Sequence, residues 1–172
     1  MPESGLPAIG HEAGSHVLDD LHLRDADFAG GQVTKTLCPY CHSKTVHKTA
    51  REIYGRFGET LTDRLFLACS QFPKCNAYVG CHENNGKPMG RLANKDLRQA
   101  KMLAHSFFDP LWIKKMKTAG VSKGAARSLA YRWLSKQMGM NPKECHIAMF
   151  DVDLCLKVVE ACRPFYKAGA IS

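Results

Sequence analysis

The sequence predicts an α+β chain in which a small, cysteine-bearing β module precedes a helical bundle. Three observations lead there: short extended segments between residue 34 and about residue 82, four cysteines in two pairs among those segments, and a change to helical period from Asn94 onward. A length of 172 residues fits one domain with an appendage. A composition that is 45% hydrophobic and 23% charged supports a buried core and excludes collagen-like or wholly disordered classes.

Charge divides the chain into three parts. Residues 1–33 carry one base and six acids, a net −5 with no helical or strand period, and read as an acidic, flexible tail. Its histidines, His11, His16 and His22, lack the spacing of a ligand set and read as solvated. The tail could also fold back on the basic middle as a mimic of nucleic acid. Residues 34–140 hold 19 bases against six acids, a net +13, and residues 141–172 are neutral. The overall +8 therefore understates the middle, where a polyanionic partner is expected. The expected divisions are the tail at 1–33, a four-cysteine module at 34–90 and a helical bundle at 91–172.

Within the module, Thr45, Val46, Thr49, Ile53 and Tyr54 favour one extended segment, and Gly55 and Gly58 a turn. Leu65 to Ala68 forms a second strand, and a third runs through Ala77, Tyr78 and Val79. Asn94 then caps a helix whose stripe is Leu97, Met102, Leu103 and Phe107. Asp109 and Pro110 read as a cap and first-turn proline that start another helix. Ser122 caps a third, with Ala126, Leu129, Ala130, Trp133, Leu134 and Met138 facing inward and Gly139 as its stop. Asp151 caps the last, which buries Leu154, Cys155, Val158, Val159 and Cys162 and ends near Pro164.

The longest uninterrupted apolar run, Leu65 to Cys69, falls far short of the roughly 20 residues of a spanning helix. The N-terminal residues show neither the basic nor the apolar region of a secretory signal. The expectation is a cytoplasmic protein with no membrane partner, whose cysteines are thiols rather than disulfides.

The strongest chemical signal is Cys38-Pro39-Tyr40-Cys41 followed, after 27 residues, by Cys69 and Cys75. A C-x-x-C pair places two sulfurs on one tight knuckle, and a second pair across a hairpin completes a tetrahedron around zinc. Four thiolates leave no open position for water, so one structural Zn2+ is expected, contributing on the order of 10 kcal/mol to a module too small for its own core. The second pair is separated by five residues instead of two. Cys81 and His82 remain alternative ligands, and His42 and His47 lie nearby.

The run from CPYC through GRFGETLTDRLFLACSQFPKCNAYVG resembles the C4 zinc fingers at the C-terminus of bacterial type I topoisomerases. That resemblance covers about 43 residues, Cys38 to Gly80, and implies a zinc-ribbon-like fold and binding of single-stranded DNA; the topoisomerase catalytic domain has no counterpart here. A wider resemblance, over residues 36 to 164, runs through VGCHENNGKPMGRLANKDLRQAKMLAHSFFDPLW, AYRWLSKQMGM and ECHIAMFDVDLCLKVVEAC. These segments are similar to an uncharacterised zinc-finger-containing family of phages and prophages, which implies a metal-binding phage protein in the host cytoplasm.

Side-chain chemistry points the same way. Around the cysteines lie Lys44, Lys48, Arg51, Arg56, Arg64 and Lys74, interleaved with aromatics. Aromatic faces stack on bases for about 1–3 kcal/mol each, and cations track phosphates. Tyr40 and Phe72, on the knuckle tips, are the expected stacking residues, with Phe57 and Tyr78 assigned to the core. Arg91, Lys95 and Arg98 are expected to form a helical stripe facing phosphate, and Lys101 and bases on the following helices extend the set. The expected partner is nucleic acid, DNA before RNA, with no small-molecule substrate. The alternative is an interaction module that binds and modulates a host protein. Two arrangements, His105 with Asp109 and Cys145 with His146 and Asp151, are the only catalytic ones worth weighing, and the expectation is a non-enzymatic protein.

Overall fold

A capping box reshapes the first segment. Thr49 accepts from the Glu52 backbone N–H, and the Glu52 carboxylate accepts from the Thr49 N–H at 2.8 Å, so the chain turns helical one residue later. Strand β1 (Thr45–Thr49) thus ends where helix α1 (Ala50–Tyr54) begins. Ile53 and Tyr54, expected to be extended, are helical. This computed structural model describes residues 37–61 and 64–167, all within one compact unit. The expectations for residues 1–33 lie outside the described residues.

A 3-10 segment (Gly55–Leu61) follows, then β2 (Leu65–Cys69) and β3 (Tyr78–Gly80). The strands form an antiparallel sheet in the order β1-β2-β3, with Thr45 opposite Cys69 and Ala68 opposite both Val46 and Tyr78. Alternation gives the sheet two faces. On one, Phe66 and Tyr78 meet Tyr54 of α1 in three edge-on pairs with centroids 5.5 to 6.0 Å apart. On the other, Leu67, Cys69 and Val79 pack with Cys38, Ala77 and Leu92. Gly58 presses on α1 so closely that a Cβ there would lie 2.3 Å from the Ala50 carbonyl oxygen. This contact fixes the 3-10 segment and leaves its neighbour Phe57 pointing outward, 78% exposed and not in the core as expected.

Helix α2 (Lys95–Ala119) starts at Asn94, whose side chain accepts from the Leu97 N–H at 2.9 Å. Its buried stripe is Leu97, Ala100, Ala104, Phe108 and Trp112. The alanines let the neighbouring helices approach, and the larger Met102 and Leu103 stay exposed, contrary to the expected stripe. The helix also runs on through Pro110 instead of restarting there. A mid-helix proline removes one hydrogen bond and costs about 3 kcal/mol. Here the Tyr166 hydroxyl donates to the Phe107 carbonyl at 2.6 Å and lies 3.5 Å from that of Ser106, the carbonyl Pro110 leaves without a donor. Asp109 accepts from the Trp112 indole N–H at 3.0 Å instead of capping a new helix.

Gly120, left-handed at φ 62°, ends α2, and Ser122 caps α3 (Lys123–Gln137). A 3-10 turn (Ile147–Met149) leads to Asp151, which caps α4 (Val152–Cys162), and α5 (Pro164–Lys167) follows. Phe108, Leu134, Ile147, Phe150, Val158 and three thiols, Cys145, Cys155 and Cys162, form the helical core. The architecture is therefore α+β, a three-stranded zinc-ribbon-like module followed by helices. No helix among the described residues is long and apolar enough to cross a membrane.

Tyr166→Phe keeps the ring, which packs edge-on against Phe107 at 5.0 Å, and removes only the hydroxyl. The expected cost is about 1 kcal/mol, a fall in Tm of about 3 °C by calorimetry. An unchanged Tm would show that the Ser106 and Phe107 carbonyls do not depend on Tyr166.

Candidate metal centre and its basic surroundings

The first knuckle is closed by backbone hydrogen bonds. The Cys38 N–H donates to the Ser43 carbonyl at 2.8 Å, and the His42 N–H to the Cys38 carbonyl at 2.9 Å. His42 takes a left-handed conformation, φ 57°, which histidine tolerates better than most residues. The chain then pairs Leu37 with Lys44 and enters β1.

The second knuckle grows from the end of β2. The Cys69 N–H donates to the Ala77 carbonyl, the Cys75 N–H to Gln71, and the Gln71 N–H to the Cys69 sulfur at 3.4 Å. The longer spacing is accommodated by a turn that includes a cis peptide between Phe72 and Pro73. Sheet register then sets Cys69 beside the first knuckle.

The four sulfurs of Cys38, Cys41, Cys69 and Cys75 lie within 4.8 Å of one another. Across the knuckles, Cys41 and Cys69 are 3.4 Å apart and Cys38 and Cys75 3.6 Å. A disulfide would need about 2.05 Å, whereas a tetrahedron with zinc–sulfur bonds of about 2.3 Å has edges of about 3.8 Å. Cys38 and Cys69 are buried, Cys75 half-buried and Cys41 exposed. Four soft thiols at this spacing, with no carboxylate among them, suit a borderline-soft dication.

Electrostatics divides the thiols. The Ser43 backbone and hydroxyl, aided by Cys69 and Cys75, pull Cys41 down to about 6. Burial pushes Cys69 up, and burial together with the crowd of neighbouring thiols pushes Cys75 well above the ordinary thiol range. Full deprotonation of such a cluster requires a cation at its centre.

The chain belongs to the zinc-finger-containing domain family. Its family model matches residues 34–164, three-quarters of the chain, and includes all four cysteines. No curated protein and no solved structure matches. Cys81, the alternative ligand, is buried on the sheet beside Pro88, where desolvation raises its thiol; neither it nor His42, His47 or His82 joins the sulfur cluster.

The expected nucleic-acid residues fall into two groups. Lys44, Arg51, Arg56, Lys74 and Lys95 are exposed. Lys48, half-buried, pairs with Glu52 at 3.2 Å, and Arg64 pairs with Glu83 at 3.7 Å in open solvent. Tyr40 is 40% exposed, its hydroxyl donating to the Leu92 carbonyl at 3.4 Å. Phe72 is not a free tip: it is half-buried, edge-on to Tyr78 at 5.9 Å.

Arg98 is committed to the fold. Its guanidinium lies 3.9 Å from the Tyr78 ring centroid and donates to the carbonyls of Asn76 and Ala93 and to the Asn76 side chain. Arg91 precedes α2 instead of sharing a stripe with Lys95, and its side chain lies 4.0 Å from Asp151. Lys101 is drawn inward: its amine donates to the Ala148 carbonyl at 2.6 Å, and desolvation lowers its pKa. Phe57, with the Arg56 guanidinium 5.6 Å from its ring centroid, is the exposed aromatic missed in the sequence. The available signal was its position in a short glycine-bounded turn.

Of the catalytic pairings, His105 Nδ1 lies 3.2 Å from Asp109, a carboxylate already shared with Trp112. Burial pushes the Cys145 thiol up to about 11, and the neighbouring His146 ring is stacked on Tyr131 with Nδ1 accepting the Ala148 N–H. That is the reverse of an activated thiolate.

Cobalt added to the apo chain should give the intense visible bands of tetrahedral thiolate coordination. Cys75→Ser is expected to abolish them and Cys81→Ser to leave them intact; the opposite pattern would move the site. Because protons compete for the thiolates, metal affinity should fall as pH falls, measured with a zinc indicator between pH 8 and 5.

Proposed function

We propose that the protein is a non-enzymatic, zinc-stapled nucleic-acid-binding protein, with DNA preferred to RNA. Cys38, Cys41, Cys69 and Cys75 would hold one structural zinc. The ion would supply charge neutralisation and cross-linking of the two knuckles, with no coordination position left for a substrate. The chemistry of a full thiolate set favours this role over a catalytic one. The resemblance to topoisomerase fingers and to a phage family adds a single-stranded ligand and a host cytoplasmic setting to the proposal.

The observation that carries the nucleic-acid reading is the Arg56–Phe57 projection. An aromatic 78% exposed, with a guanidinium beside it, stands out from the module with no ring pair among the described residues. Exposed Tyr40, Lys44, Arg51 and Lys74 supply further stacking and phosphate contacts.

A second reading rests on a different surface. Val152 and Leu156 are exposed four residues apart in the first turns of α4, and Met149 is exposed in the 3-10 turn before it. That apolar strip suits a protein partner, and a host protein would bind there. Pull-down with and without nuclease separates the two readings.

Phe57→Ala is expected to weaken binding to a 20-nucleotide single strand by about tenfold, as loss of one stacked base requires. Wild-type affinity should drop steeply between 50 and 200 mM salt in fluorescence anisotropy; a flat profile would contradict the proposal.

A further inference from the structure

Residues 110–143 hold eight bases and no acid. This stretch comprises the end of α2, a three-residue turn, α3 and the turn after it, which carries Lys143, and is remote in sequence from the cysteine module. Helical geometry sorts α3 into two faces. Ala126, Leu134 and Ser135 are buried, while Ala125, Ser128, Arg132 and Lys136 are exposed at steps of three and four residues along one outer stripe. The described ion pairs involve Lys48, Arg64, Arg91 and His105, and none uses a base of α3.

The chemistry of this face differs from that of the module. The aromatics of α3 are used inside: Tyr131 packs on Phe108 and His146, both at 4.8 Å between centroids, and Trp133 meets Phe165 at 5.4 Å. No ring is left to stack on an unpaired base, so the face lacks what single-strand binding uses. None of the exposed large hydrophobic side chains lies between residues 110 and 143, so the face also lacks the apolar wedge of a membrane-surface helix. What remains is a convex, cationic helix with small residues, Ala125 and Ser128, where a groove floor would approach. Its 15 residues span about 22 Å, and a helix of this diameter fits the DNA major groove, about 12 Å wide.

We propose that the outer face of α3 is a second nucleic-acid surface, specific for duplex DNA and seated in the major groove. Arg132 and Lys136 contact the groove and its phosphate rim. Lys117 and Lys123, both exposed and flanking the turn at Gly120, reach the backbone on either side. The ligand class rests on the nucleic-acid reading above, but the contact does not use the zinc module. The protein would then hold a duplex through α3 and an unpaired strand through Phe57, as at a junction between the two.

The test uses the metal-loaded full chain, a 20-base-pair duplex, a 20-nucleotide single strand and vesicles rich in anionic phospholipid. Arg132→Glu with Lys136→Glu is expected to weaken duplex binding at least tenfold and to leave single-strand affinity and cobalt spectra unchanged. The neutral pair Arg132→Gln with Lys136→Gln should reduce the salt slope for the duplex by about 2, one unit per lost phosphate contact. Duplex affinity unmoved by either pair, or lost only with Phe57→Ala, would overturn the α3 assignment and leave the proposed function standing. Vesicle binding abolished by the same pairs in the absence of duplex binding would also overturn it. Failure of the wild type to bind either nucleic acid would overturn both.

Discussion

The structure depends on the requirement that four sulfurs occupy one small volume. Thiols within 4.8 Å of one another, three of them at least half-buried, are neither a disulfide network nor an apolar core. Their mutual repulsion once deprotonated is offset only by a central cation. The sheet is too small to impose this arrangement: β3 has three residues, and the cluster behind it adds little more than Leu67, Ala77, Val79 and Leu92. Under the proposed function, the metal supplies what the missing apolar area would otherwise provide.

From that point the order of the module extends into the helices through polar contacts. Asn76 follows the fourth cysteine, and its carbonyl and side chain are both held by Arg98 in the first turn of α2. The same guanidinium lies over Tyr78, which in turn contacts Tyr54, Phe66 and Phe72. Displacing the second knuckle therefore moves an arginine, an aromatic cluster and a helix end together. Arg98 illustrates why charge counting alone misplaces an interface: a basic residue next to a basic module can serve as internal mortar.

The sequence was legible where local chemistry decides the outcome. The caps at Asn94, Ser122 and Asp151 and the inward face of α4 follow from side chains acting on their own turn. The α+β order and the thiol cluster follow from period and spacing. Tertiary partners decided the rest. Pro110 reads as a helix start until Tyr166, 56 residues later, brings its hydroxyl to the Phe107 carbonyl and near that of Ser106, which Pro110 leaves without a donor. Ile53 and Tyr54 have strand-forming side chains, yet the Thr49–Glu52 box a few residues earlier sets their backbone. Phe57 looks like core by residue type, but Gly58 packs on Ala50 and turns it outward. Met102 and Leu103 lost the inner stripe to alanines because close helix packing rewards small side chains.

Amide hydrogen exchange on the zinc-loaded and the chelated chain addresses the central claim most directly. The account predicts that removing the metal strips protection from the Cys69, Ala77 and Tyr78 amides, which are hydrogen-bonded at the second knuckle and on β3. The amides of Phe108 and Leu134 in the helical core should stay protected. Equal protection of all five with and without metal would contradict the account, since the sheet would then stand without the sulfur cluster's ion.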